Sequence, residues 1–310
     1  MTTHWDVLII GGGAAGLSAA LTLTRARRNV LIIDANTPRN RFTNHMHELI
    51  GRDHTSPADL YADARTEISG YGGQFLNASA TSVRKTSTGF TVTTTIDTHH
   101  TATHILVTTG LTDVLPDLTG LPETWGQGAA VCPYCDAYEV RDQPIGVLAT
   151  GPNSIHQAQL LRQWSPNIIY LSDAVGPPTG EDRTAFDARG IRIVEGPIDH
   201  VTIDGGTLNG VTMRDGQHIA LAALFLIPTL AFNDTILTTL GTATTDTPMG
   251  TLVTVDATGA TSTPGLWAAG NVVNPAANVP MSIGAGAATG GAINHALIQR
   301  DIAEALAGMA

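Results

Sequence analysis

Thiols are scarce in this sequence: Cys132 and Cys135 are the only two cysteines in 310 residues. That scarcity excludes a scaffold held together by several disulfides. Base is short as well. The 16 Lys and Arg stand against 27 Asp and Glu, a formal net charge of -11. Such a surface repels nucleic acid and anionic membranes, so neither is expected as a partner. The sequence also lacks any run of about 18 apolar residues that could span a bilayer. The opening "MTTHWDVLII" passes into a strand pattern without the charged, apolar and small-residue regions of a signal sequence, so a cytoplasmic location is expected. In that reducing compartment a structural disulfide is out of place, which leaves the pair as catalytic or metal-binding. What the chain does have is apolar mass: 43% of residues are hydrophobic and 14% charged. That is enough length and hydrophobicity for two compact domains, each with its own core.

The stretch "VCPYCDAYEV" places the two cysteines three apart with Asp136 directly after them. A closed zinc site needs four ligands, and no second Cys or His pair follows at suitable spacing, so no metal is expected. Two buried, inert thiols are a poor account too, because a carboxylate is an unfavourable core neighbour. A redox dithiol is the favoured reading, and a dithiol that cycles needs a partner that carries electrons.

The amino-terminal segment "WDVLIIGGGAAGLSAALTLTRARRNVLIIDA" supplies one. It reads as a buried strand, a glycine-rich turn, an amphipathic helix and a second buried strand ending in an acid, the order of a dinucleotide-binding βαβ unit. Gly11 makes the tight turn, Gly13 lets backbone approach a pyrophosphate at the helix start, and Gly16 lets helix and strand pack closely. Asp34 is placed to accept from a ribose hydroxyl. Ala14, Ala15 and Ala35 complete the residues expected to line the nucleotide here.

The middle of the chain repeats one plan. "SATSVRK", "GFTVTTTID" and "HHTATHILVTTG" read as a β-meander that returns to a parallel strand, and "GPIDHVTID", "LNGVTMRD" and "HIALAALFLIPT" repeat that order. The fold class is therefore α/β with two Rossmann-like nucleotide-binding domains. The turn-rich stretches "LTDVLPDLTGLPE" and "GTATTDTPMG" are read as crossings between them. The expected division is 1–115 and 242–310 for the first domain, with 116–241 inserted into it and carrying the cysteines. "CDAYEVRDQ" is expected to form a short helix ending before Pro144, with its dipole and free amides favouring a thiolate.

The GxGxxG turn, the "VTTG" strand end, the CPYC-Asp motif and "LWAAGNV" near the end resemble, in order and spacing, the low-molecular-weight thioredoxin reductases, over essentially the whole chain. The resemblance implies FAD in the outer domain, a dithiol on the inserted domain facing the isoalloxazine, and a homodimer. By the same resemblance Cys135 is the cysteine against the flavin, Cys132 exchanges with substrate, and Asp136 is the acid/base group. Thr109, Gly110, Gly270 and Asn271 are expected beside the cofactor, with Asn271 where these reductases have aspartate. Arg41, in "RNRFTNHMHELIG", is expected there too. His45 and His47 fall in the same segment, and His45 is a candidate for taking a thiol proton.

The second domain departs from the reductases. Where they carry a GxGxxA turn for NADPH and an arginine-rich run after the next strand, this chain has "GVLATGPNSIHQA" and "NIIYLSDAVGPP". Ala149 replaces a glycine, Pro152 enters the turn, and Asp173 stands near the expected 2'-phosphate position, where it would repel the anion. This departure resembles the gliotoxin- and holomycin-type dithiol oxidases, which close disulfides in small natural products. The resemblance implies a small-molecule dithiol substrate, molecular oxygen as electron acceptor and hydrogen peroxide as co-product. The competing readings are a thioredoxin reductase driven by NADPH or ferredoxin, and a flavin-bound redox sensor.

Overall fold

The computed structural model describes residues 4–173 and 175–309. The chain divides into two compact units. One comprises Met1–Arg39, Ala58–Thr112 and Leu230–Ala310, the other Asn40–Pro57 and Asp113–Thr229.

The first unit opens with β1 (His4–Ile10), α1 (Ala14–Arg25) and β2 (Val30–Asp34). β1 and β2 pair in parallel, Val7 with Val30 through Ile10 with Ile33. After α2 (Pro57–Gly70), β3 (Gln74–Asn77) adds in parallel to β2. β4 (Ala80–Lys85) and β5 (Phe90–Thr94) form the antiparallel meander into β6 (His99–Val107), which lies parallel to β1. The paired stretches 7–10, 30–33 and 105–107 are apolar because both faces of the sheet are covered there. Leu8 and Ile10 enter one core with Phe90 and Val92, while Val7 and Ile9 enter another with Leu17, Leu23 and Ile293.

β7 (Leu111–Val114) leads into the second unit, which contains α3 (Leu121–Thr124), β8 (Ala129–Ala130), α4 (Pro133–Asp136), β9 (Ile145–Leu148), α5 (Asn153–Leu161) and β10 (Ile168–Leu171). It continues through α6 (Gly180–Ala188), β11 (Arg192–Val194), β12 (Ile198–Asp204), β13 (Thr207–Met213), β14 (His218–Ala220) and β15 (Ala223–Phe225). The order β11-β10-β9-β15-β8 makes a parallel sheet, and β12-β13-β14 a separate antiparallel one.

The repeated plan thus holds with one difference. In the first unit β6 serves both the meander and the parallel sheet as one strand. In the second the chain changes sheets between Leu221 and Ala222. The Leu221 amide donates to Asn209 in the meander (3.3 Å) and the Ala222 amide to Pro144 beside the parallel sheet (2.8 Å).

The return begins with β16 (Thr229–Phe232), which pairs with β7, and continues with α7 (Thr235–Thr239). "GTATTDTPMG" holds no crossing: it contains β17 (Thr244–Thr247), which turns back on β18 (Gly250–Val253) as a hairpin. The inserted unit accordingly ends at Thr229 where 241 was expected, and it includes Asn40–Pro57, which the sequence reading left with the first domain. β19 (Leu266–Ala268) then joins β6 in parallel, Leu266 with Ile105 through Ala268 with Val107.

The final helix, α8 (Val279–Ala307), starts at Asn278, whose side chain accepts from the Met281 amide at 3.1 Å. Its small residues permit close packing on α1. A Cβ at Gly286 would overlap the Ala15 carbonyl, and one at Gly290 would lie 3.0 Å from the Ala19 carbonyl oxygen.

Candidate active site

The glycine-rich turn of the first unit is shaped by three different constraints. Gly11 has φ +107 and lies so close to β6 that a Cβ would sit 2.5 Å from the Thr108 carbonyl oxygen. A Cβ at Gly16 would overlap the Gly11 carbonyl, so this glycine is required for helix-to-strand packing, as expected. Gly13 differs: its backbone is extended, and nothing lies within 4 Å of where a Cβ would be. It caps α1 without a side-chain hydrogen bond, and the helix opens directly after it with Ala14, followed by the buried Ala15 and Gly16. Four orphan amides at a helix start facing an open approach suit a pyrophosphate, and a dinucleotide fits this turn.

Around it, Asp34 ends β2 but is ion-paired with Arg65, a partner the sequence did not indicate. Ala35 follows it. Thr109 and Gly110 leave β6, with the Thr109 hydroxyl donating to the Asn233 carbonyl at 2.6 Å and Gly110 at φ +66. Gly270 and Asn271 begin the turn after β19. The Asn271 amide nitrogen donates to the carbonyls of Asn274 (3.0 Å), Pro275 (3.3 Å) and Ala277 (2.8 Å). That amide therefore holds the loop, and only its oxygen is left to face a ligand. Arg41 belongs to the second unit, where its guanidinium lies 4.1 Å over the Phe42 ring.

In the second unit Cys132 and Cys135 are joined as a disulfide, with their Cα atoms 5.3 Å apart. Cys132 is the extended residue before α4 and Pro133 opens the helix, a position where proline loses nothing because that amide has no helical partner. The helix is a single turn ending at Asp136, followed by tight turns through Tyr138–Arg141 and by Asp142 at φ +64. The expected helix over "CDAYEVRDQ" is thus corrected to Pro133–Asp136. Its one turn supplies little dipole, and the amides of Cys135 and Asp136 both point to the Cys132 carbonyl at 3.2 Å. Thiolate control must come from side chains.

Those side chains come from the segment Asn40–Pro57. Glu48, in the left-handed region at φ +66, brings its Oε2 to 3.8 Å from the Cys135 sulfur. A carboxylate oxygen of Glu48 and both sulfurs lie within 4.8 Å of one another. His47 is 3.1 Å from Asp53 and 3.3 Å from Glu139. His45 packs against the rings of His47 (5.2 Å) and His54 (5.3 Å). Burial and the neighbouring His47 hold the His45 imidazole below its usual pKa, with Glu139 opposing and His54 adding to the shift. Burial pushes the Asp136 carboxyl up to about 6; Glu139 adds to this and His47 opposes it. A carboxyl poised there exchanges protons near neutral pH.

The structure therefore gathers Cys132, Cys135, Asp136 and the His45–His47 segment in one unit, and adds Glu48, His54 and Glu139, which the sequence reading did not single out. Glu48 lay inside the very segment already marked for its histidines. Nothing local distinguishes it, because its approach to Cys135 depends on contact between distant parts of the chain.

In the second nucleotide-type turn, between β9 and α5, Thr150 and Ser154 are tied into the turn, while nothing lies within 4 Å of where a Cβ at Gly151 would be. The Thr150 amide donates to the Ser154 hydroxyl at 3.0 Å, and the Thr150 hydroxyl to the Ile227 carbonyl at 2.8 Å. The amide of Ser154 donates to the Gly151 carbonyl at 3.0 Å. After β10, the Asp173 carboxylate accepts from the Ile198 amide at 2.9 Å.

A CxxC disulfide with adjoining acid/base groups on one Rossmann-like unit, and an open dinucleotide turn on the other, define a flavoprotein disulfide oxidoreductase. Residues 5–290 match the model of the pyridine nucleotide-disulphide oxidoreductases, and the chain belongs to that family. Membership implies a bound flavin. The chain is 38% identical to a probable thioredoxin reductase of Arthroderma benhamiae, in an alignment that spans 47% of this chain and 38% of that protein. It is 28% identical to thioredoxin reductase sirT of Leptosphaeria maculans over 96% of each chain. The crystal structure of HlmI superposes with a TM-score of 0.94 at 38% identity, covering 99% of this chain and 98% of that one. The chain is thus a thioredoxin reductase-like enzyme by sequence and by fold.

Proposed function

We propose that this protein is an FAD-dependent dithiol oxidase that closes an intramolecular disulfide in a small-molecule dithiol, with oxygen as the final acceptor. The observation that carries the reading is the second turn, whose Thr150 and Ser154 amides are already hydrogen-bonded within the turn itself. The chain also carries Asp173 after β10, its carboxylate accepting from the Ile198 amide, where the resemblance to the reductases leads one to expect base. Electrons then enter from the dithiol side.

In this scheme a substrate thiolate attacks the Cys132 sulfur. The new mixed disulfide forms as the Cys132–Cys135 bond breaks, and Cys135 leaves as thiolate. The second substrate thiol loses its proton and attacks the substrate sulfur of the mixed disulfide, releasing product and the Cys132 thiolate. Two electrons have moved from substrate to the enzyme pair, and Asp136, with a carboxyl tuned to about 6, takes one of the protons. His45, whose pKa burial and the neighbouring His47 lower, is a second candidate acceptor. FAD, when bound along Gly11, Gly13, Ala14, Ala15 and Gly16, supplies the two-electron relay to oxygen. The overall balance is dithiol plus oxygen to disulfide plus hydrogen peroxide. The enzyme acts as a cytoplasmic homodimer in this reading.

The test is anaerobic mixing of the flavin-loaded protein with a dithiol and, separately, with NADPH. The dithiol is expected to bleach the flavin, and admission of air to restore it with peroxide formation. Rapid, saturable bleaching by micromolar NADPH returns the chain to the thioredoxin reductases.

A further inference from the structure

The carboxylate of Glu48 lies against the disulfide and brings a charge to it. Its Oε2 is 3.8 Å from the Cys135 sulfur, and a carboxylate oxygen and both sulfurs share a span of 4.8 Å. Asp136 follows Cys135 directly in the chain, and the neighbouring His47 lies 3.3 Å from Glu139 and 3.1 Å from Asp53. Arg141, from the same stretch, is turned onto the Tyr138 ring at 4.3 Å with its Nη1 donating to the Tyr138 carbonyl. A dithiol that attacks Cys132 must bring its other substituents within a few ångströms of this group.

We propose that Glu48 makes the site selective for small dithiols that carry no negative charge. The inference rests on the dithiol oxidase reading and assigns its substrate class: neutral or cationic small dithiols, with dithiol acids disfavoured. The charge on the attacking thiolate is common to all substrates and cancels when two are compared. What differs is a second, fixed charge on the substrate, which feels Glu48 at partly screened range. Tyr134, exposed between the two cysteines and edge-on to Trp164 at 5.4 Å, offers an uncharged ring face for the rest of such a molecule.

Dihydrolipoamide and dihydrolipoate test this, because they differ only in amide against carboxylate and close the same five-membered disulfide. Anaerobic flavin bleaching is followed with each, for the wild-type holoenzyme, Glu48→Gln and Glu48→Gly; the glycine variant suits the left-handed backbone at φ +66. At low ionic strength the amide is expected to react about fivefold faster in the wild type, a margin that added salt should erode. In either variant the margin should fall to within about twofold, since the nearest charge is gone. Equal rates for the two dithiols in the wild type overturn the selectivity and leave the oxidase reading standing. A margin that persists in both variants overturns the assignment to Glu48. Failure of both dithiols to bleach the wild-type flavin overturns the oxidase reading and this inference with it.

Discussion

Asp136 is the residue whose environment most directly sets a pH dependence. Its folded pKa of about 6 lies above the ordinary 3.8 because burial penalises the charged form. The folded state therefore holds the proton more tightly than the unfolded chain. The associated stability is complete below about pH 4 and is lost as pH rises to 6 and beyond. Replacing the carboxyl with an amide removes that loss. Asp136→Asn should melt higher than wild type at pH 8, by about 1–2 kcal/mol once partial exposure is allowed for, and the gap should close near pH 4. The same variant should lose the rise in dithiol-driven flavin reduction through about pH 6, which stopped-flow profiles would reveal as a flat trace where wild type climbs. A wild-type profile without that limb would remove Asp136 from the proton transfer. Asp136 was legible from sequence because it adjoins the cysteines. Glu48 was not, because 87 residues separate it from Cys135.

At the scale of elements, glycines that look alike in sequence have different tasks. Gly13 faces empty space and Gly286 faces the Ala15 carbonyl. Gly13→Val should therefore leave the fold intact, with wild-type circular dichroism, yet purify colourless because the side chain occupies the pyrophosphate approach. Gly286→Val should force α8 off α1 and cost about 2–4 kcal/mol, visible as a lowered melting temperature or insoluble expression. A yellow Gly13→Val protein would show that the flavin does not use this turn. The βαβ segment could be read in advance because its strand, turn, helix and acid are contiguous. The hairpin of β17 and β18 could not: "GTATTDTPMG" has turn chemistry at both ends, and a turn between paired strands uses the same residues as a turn between domains.

For the whole molecule, the last turns of α8 carry Ile298, Ile302 and Leu306 at four-residue spacing, exposed by 40, 48 and 63%. One apolar stripe of this kind suits a second copy of the chain in the proposed homodimer. Sedimentation should give the mass of two chains, and Ile302→Glu should shift it toward one; a wild-type monomer at micromolar concentration would remove the dimer from the scheme. Among the described residues no helix is long and apolar enough to cross a membrane, in line with the scarcity of apolar runs in the sequence.

What the sequence determined by itself is whatever depends on neighbours along the chain: the α/β alternation, the nucleotide turn, the dithiol and the departure of the second turn from a phosphate cradle. The period of apolar residues and the identity of turn residues carry those features locally. The tertiary structure alone decided that Asn40–Pro57 packs with the inserted unit, that Glu48 reaches Cys135, and that Arg65 occupies Asp34. Each of these is a contact between segments far apart in the chain. Side-chain charge and shape select such contacts only after the sheets have brought the segments together.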